Sequence, residues 1–132
     1  MNTYEAKLAI IGRGTWSSKI KSSLESNFQE LDVKIFPARE VVSNPKLVQK
    51  SDFHVIWIAT QPSLQLKLVG KLLDMAQTII LEKPLGSNRA EIQSLIQLLQ
   101  DHPLGVVAPS NPWSYETTGL EAVELMKKEG LD

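Results

Sequence analysis

The residues best placed to do chemistry in this sequence are Gly12-Arg13-Gly14-Thr15-Trp16-Ser17, which follow a short apolar run, Lys7–Ile11, and precede a helical-looking stretch, SKIKSSLESNF. A glycine at position 12 permits a tight strand-to-helix turn, and one at position 14 lets backbone approach an anion closely. The helix that begins there offers free N–H groups and a partial positive charge. The third glycine of the usual G-x-G-x-x-G pattern is Ser17 here, a small residue at the point where helix packs on strand. Gly12, Arg13, Gly14, Thr15 and Trp16 are therefore candidates for holding a pyrophosphate. A glycine turn that binds nothing would use the same residue types, and it is the position between a buried strand and a helix that favours the nucleotide.

A dinucleotide site also needs a residue at the end of the second strand for the adenosine ribose. That place commonly holds Asp or Glu, ~20 residues past the glycines. This chain reads Val33-Lys34-Ile35-Phe36-Pro37-Ala38-Arg39-Glu40, with no acid directly after the strand. Arg39 and Arg13 are two guanidinium groups suited to a 2′-phosphate, which favours NADP over NAD. Two solvated surface charges would read the same way, and Glu40 leaves room for NAD.

The elements that must position these residues alternate in character. Lys7–Ile11, Val33–Phe36, His54–Thr60, Thr78–Leu81 and Gly105–Ala108 are short apolar runs with the look of buried parallel strands. Between them Leu64, Leu68, Leu72 and Met75 form one face of a helix that starts at Pro62. Ile92, Leu95, Ile96 and Leu99 form another, capped by Ser87 or Asn88, with Glu91 placed for a capping box. A last helix is expected around Gly119–Glu129, stopped by Gly130. Pro37–Ser51 reads as a short helix or a loop. The pattern predicts a single α/β domain over residues 1–132, doubly wound, with a mostly parallel five-stranded sheet in the order 3-2-1-4-5.

Composition narrows the function classes. Fourteen Lys and Arg against 15 Asp and Glu give a net charge of -1, which supplies no basic field for nucleic acid or an anionic membrane. Cysteine is absent, so disulfides, thiolate catalysis and Cys-based zinc sites are excluded together. His54 and His102 lie in different elements without ligand spacing, and no metal site is expected. The apolar run near the start is too short for a signal peptide or a membrane span, which makes a cytoplasmic setting the expectation.

The stretch His54-Val55-Ile56-Trp57-Ile58-Ala59-Thr60-Gln61-Pro62, followed one helix later by Ile79-Ile80-Leu81-Glu82-Lys83-Pro84-Leu85, resembles the glucose-fructose oxidoreductase/inositol dehydrogenase (Gfo/Idh/MocA) family. There an "IAT-x-P" strand end precedes an "EKP" motif in a Rossmann-type, NAD(P)-binding half. The resemblance runs from the glycine loop to the segment after the fifth strand. It implies hydride transfer between NAD or NADP and a secondary alcohol of sugar or polyol type. By position it puts Lys83 at the nicotinamide edge as the catalytic residue, and makes Lys83–Pro84 a candidate cis peptide. Thr60, Pro62 and Glu82 would line the cofactor. An ammonium at position 83 can hydrogen-bond the substrate oxygen and stabilise charge as the carbonyl forms.

Two departures accompany the resemblance. Gln65 stands about where the family often has histidine. The family's second domain, which supplies most substrate contacts, has no counterpart in 132 residues, and Asn111–Tyr115 resembles the passage towards it. A homo-oligomer or a separate substrate-domain protein is therefore an expected partner, with Trp113 near the surface to be covered. A non-catalytic nucleotide-sensing or protein-interaction module is the alternative. Of the other tryptophans, Trp57 is expected in the core and Trp16 against the first helix.

Overall fold

The computed structural model describes residues 6–75, 77–110, 124–125 and 127–130. Among the residues up to Ser110, ten elements follow one another: strand β1 (Ala6–Ile11), helix α1 (Thr15–Asn27), β2 (Leu31–Phe36), α2 (Ala38–Ser43), a 3₁₀ turn (Pro45–Val48), β3 (Val55–Ile58), α3 (Pro62–Asp74), β4 (Thr78–Leu81), α4 (Arg89–Asp101) and β5 (Val106–Pro109). The five strands are parallel, and the sheet has the order β2-β1-β3-β4-β5. This corrects the expected order 3-2-1-4-5. Pro37 ends β2, and the segment after it forms α2 and the 3₁₀ turn, which return the chain across β1 without adding a strand outside β2. The apolar β3 (VIWI) then takes an interior place, with Leu8 opposite Val55. Asp32 and Lys34 suit β2 to the edge, where charge discourages further pairing.

The sheet carries two apolar layers. On one face Ile11, Ile56, Ile58, Ile79 and Leu81 pack under Val41 of α2, Leu68, Val69 and Leu72 of α3, and Leu95 of α4. On the other, Leu8, Ile10 and Val33 pack under Ile20 and Leu24 of α1. In α3 the expected face is correct, with Leu68 and Leu72 fully buried and Leu64 and Met75 partly so. In α4 it is rotated. Leu95 is buried, Leu98 and Leu99 pack against the core, and Ile92 and Ile96 are left largely exposed. The cap of α4 is Asn88, whose Oδ1 accepts the Glu91 amide at 2.9 Å. Glu91 reaches back at 3.5 Å to the amide of Ser87, one residue before the cap, so both candidate residues are engaged at the start of the helix. The described part of the last helix covers Glu124–Leu125 and Lys127–Lys128, and Gly130 ends it with φ 72°.

Burial of the strands differs from expectation in one respect. Along β3 and β4 it alternates, with Ile56, Ile58, Ile79 and Leu81 buried and Val55, Trp57, Thr78 and Ile80 only partly so. The second set shares the face on which, among the described residues, only α1 packs. Trp57 therefore packs against the edge of the core under α1 and is only half-buried, its remaining surface lining a cavity wall.

Both histidines are structural. The Nδ1 of His54 accepts the Lys7 amide at 3.0 Å, and the His54 amide donates to the Lys7 carbonyl at 2.8 Å, which fixes the start of the β1–β3 pairing. His102 caps α4, its Nδ1 2.9 Å from the Leu98 carbonyl and its Nε2 2.8 Å from Asp74 at the end of α3. Only the imidazolium donates to both acceptors. The Leu98 carbonyl, and after it Asp74, accordingly raise the His102 pKa above 6.5. Because the folded pKa is the higher one, the link stabilises fully below 6.5 and is lost as pH rises through the raised value. Melting temperature measured across that window should fall towards alkaline pH, and should fall less in His102→Gln. Parallel profiles for the two proteins would remove His102 as the cause.

Candidate functional site

The winding of the sheet reverses between β1 and β3. Crossovers leave these neighbouring strands in opposite directions, which opens a crevice at their C-terminal ends, where ligands of such sheets bind. The strand ends are tied to their neighbours along this edge. Gly12 donates to the Phe36 carbonyl at 2.9 Å, Ala59 to Ile11 at 2.8 Å, and Glu82 to Ile58 at 3.1 Å.

The glycine loop lies on this edge. Gly12 has φ 143° and sits so close to β3 that a side chain would meet the Ala59 carbonyl and, at 3.2 Å, the Ser17 hydroxyl. Ser17 is itself buried, in keeping with its place as the small residue between helix and strand. Gly14 has φ 131° and nothing within 4 Å of where a Cβ would stand, so the space above it is open. It is also the N-cap of α1. No side chain caps that helix and no acid occupies its first turn. The amides of the first turn and the open face of Gly14 thus fit an anionic group such as a pyrophosphate. Arg13, Thr15 and Trp16 are exposed around it, and Trp16, at 57% exposure, does not pack on the helix as expected.

On the side of β2, Pro37 and Ala38 follow the strand directly, so no acid stands at its end. Arg39 is the second residue of α2 and exposed, and Glu40 follows it in the same first turn. Among the described residues neither Arg13 nor Arg39 forms an ion pair.

On the other side of the crevice lies a cavity of about 900 Å³ between α1 and the partly covered face of β3 and β4. Trp16, Lys19 and Ile20 form one wall, Trp57 and Thr60 another, and Glu82, Lys83 and Ser110 the rim. Four expected site residues, Trp16, Thr60, Glu82 and Lys83, therefore meet at one opening. Arg39 does not reach it, and Pro62 serves as the first residue of α3. The Lys83–Pro84 peptide is cis. Lys83 is exposed and, among the described residues, unpaired with any carboxylate, while Glu82 accepts a hydrogen bond from the Trp57 indole at 2.9 Å. An ammonium free to meet a ligand oxygen, beside a carboxylate already held in place, is suited to binding and orienting a polar substrate. Trp113 and Pro112 lie outside the described residues.

Sequence reasoning undervalued two residues. Trp57 was legible as a strand residue, but nothing in the sequence shows which face lacks a helix. Gln65 stood out only as a departure from a pattern. In the structure it is buried and bonds the backbone on both sides of Lys83, at Glu82 and Pro84. Among the described residues no three His, Cys, Asp or Glu side chains are grouped to hold a metal ion, and no helix is long and apolar enough to cross a membrane.

Comparison with known proteins agrees with this geometry. A search of curated proteins gives no match. Among solved structures, apo scyllo-inositol dehydrogenase from Lactobacillus casei superposes with a TM-score of 0.74 at 14% identity, over 97% of this chain and 43% of that one. The same enzyme with bound NAD(H) and scyllo-inositol gives a TM-score of 0.65 at 11% identity, over 96% and 42%. Myo-inositol 2-dehydrogenase from Lactobacillus plantarum gives 0.65 at 12% identity, over 96% and 42%. At such identities the likeness is one of fold, and this chain spans about two-fifths of the length of those dehydrogenases. The model of the oxidoreductase family with an NAD-binding Rossmann fold matches residues 13–108. That match spans most of the sequence and both motifs, so the chain belongs to the Gfo/Idh/MocA oxidoreductase family and carries its NAD-binding Rossmann domain.

Proposed function

We propose that this chain is the coenzyme-binding half of a cytoplasmic oxidoreductase that acts on a secondary alcohol of sugar or polyol type. The observation that carries the reading is that the open face of Gly14 and a cavity lined by Trp16, Thr60, Glu82 and Lys83 both lie at the C-terminal edge of the sheet. In this reading Gly12, Arg13, Gly14, Thr15 and Trp16 receive the pyrophosphate, Arg39 meets the adenosine end, and Thr60, Pro62 and Glu82 border the nicotinamide. Bound there, the nicotinamide supplies a two-electron hydride acceptor or donor. Lys83 contributes a hydrogen bond to the substrate oxygen from the cavity rim. The structural neighbour with NAD(H) and scyllo-inositol bound supports the substrate class. A second copy or a separate substrate-domain protein would complete the site.

The adenosine end favours NADP(H), since two unpaired guanidinium groups flank it and no acid ends β2. Calorimetric titration with NAD, NADP and their reduced forms tests both parts of the reading. Charge-assisted hydrogen bonds to a phosphate are worth about 1.5–3 kcal/mol, so Arg39→Asp should weaken NADP(H) by roughly 10- to 100-fold and NAD(H) little. Equal affinities for both coenzymes, unchanged by the substitution, would remove the NADP assignment. Binding of none of the four would remove the coenzyme reading itself.

A further inference from the structure

Gln65 is 2% exposed and lies in the first turn of α3, behind the Glu82–Pro84 segment. Its Nε2 donates to the Glu82 carbonyl at 3.1 Å and to the Pro84 carbonyl at 3.2 Å. One amide group therefore satisfies the two carbonyls that flank Lys83. Its Oε1 is buried with no partner. A buried, unpaired carbonyl oxygen costs about 1–3 kcal/mol, which offsets part of what the two hydrogen bonds contribute. An apolar side chain of the same length would avoid that cost but leave the Glu82 and Pro84 carbonyls without this donor. The amide's distinguishing property is two N–H groups on one rigid plane, which span carbonyls on either side of a residue.

The second restraint acts on the same segment from the opposite side. The Trp57 indole N–H donates to Glu82 Oε1 at 2.9 Å, and the Glu82 amide is fixed to the Ile58 carbonyl at 3.1 Å. Glu82 is thus held at its amide, its carbonyl and its side chain, by two different elements. Lys83 follows it with its side chain exposed at the rim of the cavity.

We propose that Gln65, together with Trp57, is a positioning residue that clamps the Glu82–Pro84 backbone and so aims the Lys83 ammonium at the nicotinamide end of the site. Gln65 touches neither coenzyme nor substrate and acts through the backbone it holds. The aim at the nicotinamide rests on the coenzyme reading above, whereas the clamp itself does not.

The test uses two isosteric variants. Gln65→Glu replaces the two donors by acceptors. Gln65→Met removes donors and the orphaned oxygen together, and keeps a folded protein available if a buried carboxylate proves too costly. Affinities are measured for NADPH and NADH, and for 2′-phospho-ADP-ribose and ADP-ribose, which lack the nicotinamide. The Trp57 indole resonance is followed in ¹⁵N-labelled protein. Because Glu82 borders the nicotinamide in the coenzyme reading and shifts with the released segment, both variants should bind the dinucleotides on the order of tenfold more weakly. The ligands without nicotinamide should bind within about twofold of wild type, and the indole resonance should move. Equal weakening of all four ligands would show a merely structural role and overturn the proposal, as would unchanged affinities. Should wild type bind none of the four, the coenzyme reading fails and the indole resonance decides. An unmoved resonance in both variants then overturns the clamp.

Discussion

Gly12→Ala is expected to destabilise the fold by about 2–6 kcal/mol. Two independent costs add. Holding an L-residue at the φ of 143° seen here costs roughly 1–3 kcal/mol. The new methyl would also lie 2.9 Å from the Ala59 carbonyl carbon and 3.2 Å from the buried Ser17 hydroxyl, and overpacking of this kind adds about 1–3 kcal/mol. Ala59 cannot yield easily, since its amide is bonded to Ile11 at 2.8 Å. Gly14→Ala is the informative partner. It has a comparable φ of 131° but open space where the Cβ would go, so it should lose the backbone cost alone. Urea unfolding of the three proteins measures both. Equal losses at positions 12 and 14 would show that the approach of the loop to β3 is not what requires glycine.

The 132-residue chain, assayed by itself, is expected to show no appreciable dehydrogenase turnover even with coenzyme bound. Hydride transfer requires the alcohol carbon to be held against the nicotinamide and a group to receive the hydroxyl proton. Fixing that geometry is worth roughly 7–11 kcal/mol of barrier, and a general base adds about 10²–10⁴-fold. The family resemblance assigns most substrate contacts to a second domain, and this chain spans 43% of the Lactobacillus casei enzyme. Lys83 stands exposed at the cavity rim, where water competes for the same oxygen. The check is absorbance of reduced nicotinamide over a panel of sugars and polyols. Turnover above ~1 s⁻¹, lost in Lys83→Ala, would show that the chain holds a complete active site.

The fold class and the motif positions were legible in the sequence because each rests on local chemistry. A glycine turn after a buried strand, proline opening α3, Asn88 capping α4 and the EKP segment after β4 are all set by residues near in sequence. Strand order was not legible in the same way. It depends on whether residues 37–51 add a strand beyond β2 or return across β1, and a short run of mixed polarity is compatible with both. The half-burial of Trp57 and the rotation of the α4 face have a related origin. Periodicity says that a face is apolar, not how much of it a neighbour covers. Gln65 was hidden for a further reason, since its partners are main-chain carbonyls, which any residue presents.

The reversal of winding between β1 and β3 has a bearing on how such a protein can change over generations. The residue offered to the adenosine end, Arg39, belongs to the crossover that follows β2. Those around Lys83 belong to crossovers on the far side of β1, joined to β3 and β4. On the proposed reading, substitutions in α2 would bear on the choice of coenzyme, and substitutions around the cavity on the choice of alcohol. The glycine loop between them meets the end of β2 and the residue after β3 through Gly12, where a side chain has no room.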